Sequence, residues 1–402
     1  MKKQNWIEIT AIQLGGAICL PVILVGFQLG RDLGIGMGLG CLFVANLFLF
    51  LLSLVGAHLA SSGERSTLET VELFFGKKGK SFFALLMIGS LLVWFAIQAQ
   101  MASSDLYLVV QQLGIGANRE LLCFGVTLLM VIIPLFGFEA IAKVADFTVP
   151  FMLAAICFSA LFHMVQGQTM EVCPSAALTT MNFCLVVAAN ICAVCDMPTF
   201  FRHAKNLVHA QKAAVATFLI GIPAVEAIGL CIGSFSQGKG FLEALCPSGD
   251  SVFRACFALF IFLAAFTNNN GNFYSAKVSL DGFEGLNPKA RKPILATLAL
   301  LCSSAPIFEH FTSVVCFFGL FWVSMGVVIL SAYLMERYRG KSQAAKVHCW
   351  IAFLAGLFCG LICSFFREEM AMMCGLFVTT VLFFVLEKIA AVKEVQNVDL
   401  TI

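Results

Sequence analysis

Stretches such as "CLFVANLFLFLLSLVGAHL" at residues 41–59 constrain this chain more than any other feature of it. Apolar runs of about 18 or more residues recur along its whole length, enough for a helix to cross a bilayer. Their apolar character is continuous, not alternating. They can therefore satisfy their backbone in lipid as helices, but not as barrel strands. Composition agrees: 60% of the 402 residues are hydrophobic and 12% charged, where a soluble chain carries roughly twice that charge fraction. The expected fold class is an all-α polytopic membrane protein. About twelve spans are expected near 7–30, 35–60, 81–112, 121–138, 147–167, 177–200, 214–236, 251–276, 293–306, 311–334, 348–366 and 370–387.

The basic residues orient these spans. Of the 25 Lys and Arg, only Arg31, Arg119, Lys239, Arg254 and Arg367 fall in odd-numbered gaps or at their span entrance. Excess Lys and Arg mark the cytoplasmic side, so both termini are expected in the cytoplasm and the protein in the inner membrane. Met1-Lys2-Lys3 leads straight into a span, and no cleavable signal is expected. No connection is long enough for a soluble domain, so residues 1–402 read as one integral unit. The net charge of +2 singles out no partner. A small-molecule substrate and the lipid bilayer are expected as partners, with no nucleic acid, for a chain acting as a monomer. The 17 cysteines lie mostly in apolar runs, and no disulfide, metal cluster or cofactor is expected, Cys192 and Cys195 included.

Two spans carry breaks in their pattern. The first reads "IQLGGAICLPVILVGFQLG", with Gly15, Gly16 and Pro21 at mid-depth. The sixth reads "VVAANICAVCDMPTFFRH", with Asn190, Asp196 and Pro198. Paired interrupted helices in corresponding places point to a transporter built from inverted repeats. A five-span repeat then covers about 5–167 and again about 177–334, with extra helices at about 348–387.

Polar residues at membrane depth narrow the chemistry. Trp94 and Gln98 are four apart and share a helix face. A ring and an amide suit a flat hydrogen-bonding ligand, though a packed Trp with an amide bonded to a neighbouring helix has the same spacing. "FTNNNGNFYSAK", residues 266–277, covers every side of a helix turn with amides. These amides either cap a helix in the headgroups or meet a ligand, an ion or water. Glu8, Asp105 and Asp196 stand towards span ends. The scarcity of mid-depth carboxylates favours a cation held by neutral oxygens over a proton. Glu139, Lys143 and Asp146 are expected in a cytoplasmic loop.

Four stretches in order resemble the nucleobase–cation symporter family: "WFAIQ" at Trp94, "DMPTFFRHAKNLVHA", "FTNNNGNFYSAKVSLDGF" and "MGVVILSAYLMERYRG". The resemblance runs from about residue 10 to 340. It implies a leucine-transporter-type fold of two inverted five-helix repeats plus two helices, with substrate between spans 1, 3, 6 and 8. By that resemblance Trp94 stacks on the base, with Gln98, Asn269, Cys19, Val187 and Ala189 beside it. Na⁺ would take carbonyls at Gly15, Ile18 and Ala264 and side-chain oxygens at Thr267 and Asn268. The chain departs from the family pattern at Leu91, Val187, Phe266, Asn268 and Ala332. Asn268 replaces a threonine, which leaves Na⁺ or H⁺ as the coupled cation. The expectation is a secondary transporter, not an enzyme, importing a nucleobase or related heterocycle by alternating access. The alternatives are an amino-acid or thiamine-precursor symporter of the same fold and a polytopic membrane enzyme. No nucleotide-binding G-x-x-x-x-G-K-[ST] or H-E-x-x-H motif is present.

Overall fold

The computed structural model describes residues 3–112, 114–132, 138–166, 175–245, 251–283, 286–339 and 346–399. The described residues are helical almost throughout, and no β-strand is found among them. Among the described residues, seven helices are long and apolar enough to cross a membrane. The remaining expected spans coincide with shorter or more polar helices, and the twelve-span pattern is compatible with the arrangement.

The first span is broken, as its glycines and proline suggest. Helix α1 (Trp6–Ala17) stops, Ile18 and Cys19 leave helical geometry, and α2 (Leu20–Gly63) begins. Pro21 accounts for the place: its ring excludes a carbonyl four residues back, at Ala17. At its start, α1 is closed by a capping box. The Asn5 side chain accepts from the Ile7 and Glu8 amides, and Glu8 accepts from Asn5 N at 2.6 Å. Glu8 is thus a capping residue. Helix α2 is itself two segments, turned at Gly34 with φ 68°, a conformation glycine adopts without a Cβ penalty. The segments match the second half of span 1 and all of span 2.

The chain continues through α3 (Thr67–Gln112), turned at Gly76, α4 (Arg119–Ile132) and α5 (Phe138–Gln166). Residues 139–146, expected as a loop, instead begin α5, and their side chains lie outside the described part. Helix α6 (Ala176–Phe201) corrects a second expectation: it passes Asn190, Asp196 and Pro198 without a break. Pro198 stands near the C-terminal end of α6, where it removes one donor from the ladder. The Asn190 amide folds back on Val186 O at 2.9 Å, within the helix.

Span 7 is α7 (Leu207–Ala214), a π turn (Val215–Gly221) and α8 (Ile222–Ser234). The first segment of α2 lies directly on α8. Gly26 and Gly30 face the carbonyls of Glu226 and Leu230, while Gly229 and Gly233 face those of Ile23 and Phe27. A Cβ at any of the four would run into backbone. This is small-xxx-small packing on both partners, which lets two membrane helices approach closely.

A short α9 (Phe241–Leu245) precedes α10 (Ser251–Leu280), and α11 (Pro288–Ser304) and α12 (Phe311–Arg339) follow. Gln100 of α3 fixes the α11–α12 turn. Its nitrogen donates to Ser303 O at 3.0 Å and to Ala305 O, and its oxygen accepts from Phe308 N at 2.9 Å. Last come α13 (Lys346–Phe366) and α14 (Ala371–Asp399). Trp350 and Phe353 of α13 pack on Phe75 and Phe83 of α3, and Trp350 Nε1 donates to Phe75 O at 3.0 Å. Outward, Phe43, Leu85, Phe358 and Phe377 are each more than 60% exposed. Such a surface is stable against lipid, not against water.

Candidate functional site

A cavity of about 120 Å³ opens where α1 breaks. Its walls come from α1 and the start of α2 (Gln13, Gly16, Cys19), α3 (Leu91, Trp94), α6 (Ala189, Asn190, Asp196) and α10 (Thr267, Asn268, Gly271, Asn272, Ser275), with Ile222 of α8. The volume is close to that of an engineered cavity of about 150 Å³ that holds one benzene, so it suits a single small ring system. Among the described residues, no Lys, Arg or His lines it.

Helical periodicity explains the α10 wall. Residues 267, 268, 271, 272 and 275 form one stripe at i, i+1, i+4, i+5 and i+8. Asn269 falls off that stripe. Its nitrogen donates to Phe95 O at 3.0 Å and reaches Met130 Sδ at 3.1 Å, so it ties α10 to α3 and α4. The asparagines that face the cavity from this region are Asn268 and Asn272, the second of which is not among the expected substrate contacts. The Asn272 nitrogen donates to Asn268 Oδ1 at 2.7 Å and Asn269 Oδ1 at 3.2 Å. Asn270 is fully buried with neither side-chain heteroatom hydrogen-bonded.

The other expected substrate residues divide. Trp94, Cys19 and Ala189 line the cavity; the Trp94 ring meets Phe311 edge-on, with centroids 6.3 Å apart. Gln98 is fully buried beside the Cys19 thiol, and neither amide heteroatom makes a hydrogen bond of ordinary geometry. An unsatisfied buried amide costs about 1–3 kcal/mol per group, and Gln98 is not part of the cavity wall. Val187 is buried in α6 packing, away from the cavity wall.

Of the expected cation residues, Asn268 stands at the contact of α1 with α10, and Thr267 lines the cavity beside it. Gly15, Ile18 and Ala264 are buried, and Thr267 Oγ1 donates to Leu263 O at 2.8 Å. Asn268 makes the direct link. Its nitrogen donates to Gly16 O, two residues before the break at Ile18, while its oxygen accepts from Asn272. An amide N–H thus spans the gap between the broken helix and α10. For Asn268 to offer its oxygen to an ion here, the amide would have to turn over and lose both bonds.

A carboxylate that the reading of the sequence passed over stands behind the cavity. Glu226 of α8 is completely buried. Its Oε1 accepts from Asn190 Nδ2 at 2.7 Å and its Oε2 from Asn46 Nδ2 at 2.6 Å. It is the one charged residue between Lys212 and Lys239, a signal visible in "IPAVEAIGLCIG". The inference that mid-depth carboxylates are scarce fails at this residue. Asp196, also on the cavity wall, accepts from Thr67 Oγ1 at 3.2 Å and Thr199 Oγ1 at 2.9 Å.

The described cysteines are free thiols, and no group of three or more His, Cys, Asp or Glu is placed to hold a metal among the described residues.

Comparison with known proteins places this site in context. The sequence profile described as "Permease for cytosine/purines, uracil, thiamine, allantoin" matches residues 1–383. Cytosine permease of Escherichia coli strain K12 is 23% identical over 361 residues, covering 85% of this chain and 84% of that protein. Its counterpart from strain O157:H7 is likewise 23% identical over 361 residues, with the same coverage of both chains. Among solved structures, Mhp1, a nucleobase-cation-symport-1 family transporter closed around bromovinylhydantoin, superposes with a TM-score of 0.77 at 16% identity. That match covers 98% of this chain and 94% of Mhp1. A Na⁺-coupled sialic acid symporter in a substrate-bound outward-open state gives a TM-score of 0.69 at 10% identity, covering 95% and 89%. The fold is therefore of the leucine-transporter type.

Proposed function

We propose, from the premise that this chain belongs to the family of permeases for cytosine/purines, uracil, thiamine and allantoin, that it imports a small planar nitrogenous heterocycle by cation-coupled alternating access. That it is a membrane transporter and not an enzyme follows from the family itself. The finer reading rests on one observation: Trp94 stands on a ring-sized cavity whose other polar groups are mostly amides. An indole face offers stacking to any planar base, worth about 1–3 kcal/mol. Gln13, Asn190 and Asn272 offer donors and acceptors for its edge, with Gln98 buried beside Cys19. Asn269 acts through Asn272 and not by touching the base.

Charge separates this reading from its rival. An amino-acid carrier must hold a carboxylate, yet the cavity has no cationic side chain and does have Asp196. A neutral nucleobase or hydantoin suits it better. The driving ion is a cation, with Na⁺ at Gly15, Ile18, Ala264, Thr267 and Asn268 as one candidate and H⁺ as the other. One charge moving down 100 mV supplies about 2.3 kcal/mol, enough for accumulation of roughly 50-fold. The protein is assigned to the cytoplasmic membrane with both termini inside.

The test is a thermal-shift and uptake screen over nucleobases, hydantoins, thiamine precursors and amino acids. At least one planar heterocycle is expected to stabilise the protein and be taken up. Trp94→Ala should weaken its binding about 5- to 150-fold, matching the stacking energy. A response to amino acids alone, or unchanged affinity in Trp94→Ala, rejects the reading.

A further inference from the structure

We propose that Glu226 binds the proton that travels with the substrate, and that Asn190 transmits its protonation state to the cavity. This rests on the symporter reading above but assigns a proton site to residues outside the candidate Na⁺ set.

The first argument is placement. Glu226 is the one charged residue of its span, fully buried, and its two carboxyl oxygens each meet an asparagine N–H. Carboxylates inside a membrane are costly unless paired, and they mark ion and proton pathways. Here the partners are neutral. On the second segment of α2, Cys41 is the titratable neighbour. On α6, which meets Glu226 through Asn190, Asp196 is the acidic neighbour and is held by Thr67 and Thr199. The remaining elements packed on α8 present no paired cation to Glu226 among the described residues. His163 of α5 is held by Ala244 O at 2.5 Å, Glu243 of α9 is exposed, and Glu8 of α1 closes its own cap. A carboxyl with amide partners and no cation can exist neutral in the membrane interior. It can also be ionised when water reaches it.

The second argument is the link to substrate. Asn190 is both a ligand of Glu226 and part of the cavity wall. When the carboxylate takes a proton from a hydronium ion reaching it by way of the cavity, an O–H bond forms on Oε1 as one O–H bond of the hydronium breaks, leaving water. Oε1 then donates and no longer suits an N–H pointing at it. The Asn190 amide turns and gives up its bond to Val186 O, its oxygen accepts from the carboxyl, and its NH₂ swings towards the cavity. The wall gains a donor suited to the carbonyl edge of a heterocycle. Substrate thus binds best to the protonated protein, which is the thermodynamic requirement for symport. On the cytoplasmic side the O–H bond breaks, and the proton leaves to water.

Two measurements test this. In purified protein in lipid, without substrate, infrared difference spectra are taken across about pH 5–9, the range in which buried carboxyls titrate. A protonated-carboxyl band is expected in the wild type and absent in Glu226→Gln. A band equal in both overturns the proposal, whatever the substrate proves to be. In proteoliposomes free of Na⁺, a tenfold inward proton gradient should accumulate cytosine, or whichever heterocycle the screen returns, about tenfold at one proton per substrate. Glu226→Gln should keep substrate counterflow and lose this accumulation. Wild-type accumulation that needs Na⁺ and ignores the proton gradient overturns the proposal without reference to any variant. Should no heterocycle bind, the substrate reading falls, and the infrared arm still decides whether Glu226 titrates.

Discussion

The contact of α1 with α10 and the cluster around Glu226 both bring asparagine amides to one cavity from opposite sides, yet they are built on different logic. At α1–α10 the amides are satisfied by one another and by a freed backbone carbonyl: Asn272 donates to Asn268, and Asn268 donates to Gly16 O. Nothing charged is needed, and the bridge closes on itself. Around Glu226 the amides from α2 and α6 converge on a carboxylate, and the network is complete only in one charge state. The difference shows where an ion can act. A neutral bridge positions two helices, whereas a carboxylate held by neutral donors can change charge at modest cost.

The largest effect expected concerns the frame around the charged cluster. The Glu226 carbonyl bears directly on Gly26, so any side chain there must part α2 from α8. Gly26→Val should cost more than about 4 kcal/mol, the range reached by overpacking against fixed backbone, and remove folded protein from detergent extracts. On the other side of the cavity Gly271 has nothing within 4 Å of its Cβ direction. Gly271→Ala should fold, with stability changed by about 1 kcal/mol or less, and report only on cavity size through weaker substrate binding. Equal folding yields for the two variants would contradict the close approach of α2 and α8.

A smaller effect tests the cluster itself. Asn46→Ala removes one of the two donors to Glu226 and should destabilise by about 1.5–3 kcal/mol, the worth of a hydrogen bond to a charged group. In the Glu226→Gln background the same change should cost only about 0.5–1.5 kcal/mol, as for a neutral bond. The cycle, measured by thermal unfolding in detergent, isolates the charge-dependent part. Additivity of the two substitutions would mean that the carboxylate is not what Asn46 serves.

Much of this was legible in the sequence, for reasons that differ from place to place. The spans announced themselves because lipid imposes a continuous apolar run. The break in the first span was visible because Pro21 removes a donor and excludes the carbonyl of Ala17. Pro198, with equal sequence prominence, breaks nothing, since it stands near the end of α6. Motif order indicated the family, and Trp94 sits on the cavity. Within the asparagine run, the choice between Asn269 and Asn272 turned on which face of α10 meets α1, a matter of tertiary packing. Glu226 was hidden differently: its signal was plain, but its meaning depended on Asn46 and Asn190, 180 and 36 residues away.

The smallest effect sharpens the neutral side of the comparison. Asn268 stands where the resemblance expects a threonine hydroxyl, and its N–H occupies the gap a Na⁺ would bridge. Asn268→Thr removes the bond to Gly16 O and should cost about 0.6–1.7 kcal/mol, the usual worth of a polar contact between membrane helices. It also frees Gly16 O and adds a hydroxyl oxygen beside Thr267. The variant should therefore be stabilised by Na⁺ over K⁺ more strongly than the parent, growing as RT ln(1 + [Na⁺]/Kd) with concentration. Melting curves over a Na⁺ series at constant ionic strength read this directly. Stabilisation of the parent by Na⁺ to the same extent would show that its Asn268 amide turns over to ligate the ion. The α1–α10 contact would then be an ion site, and the contrast with Glu226 would disappear.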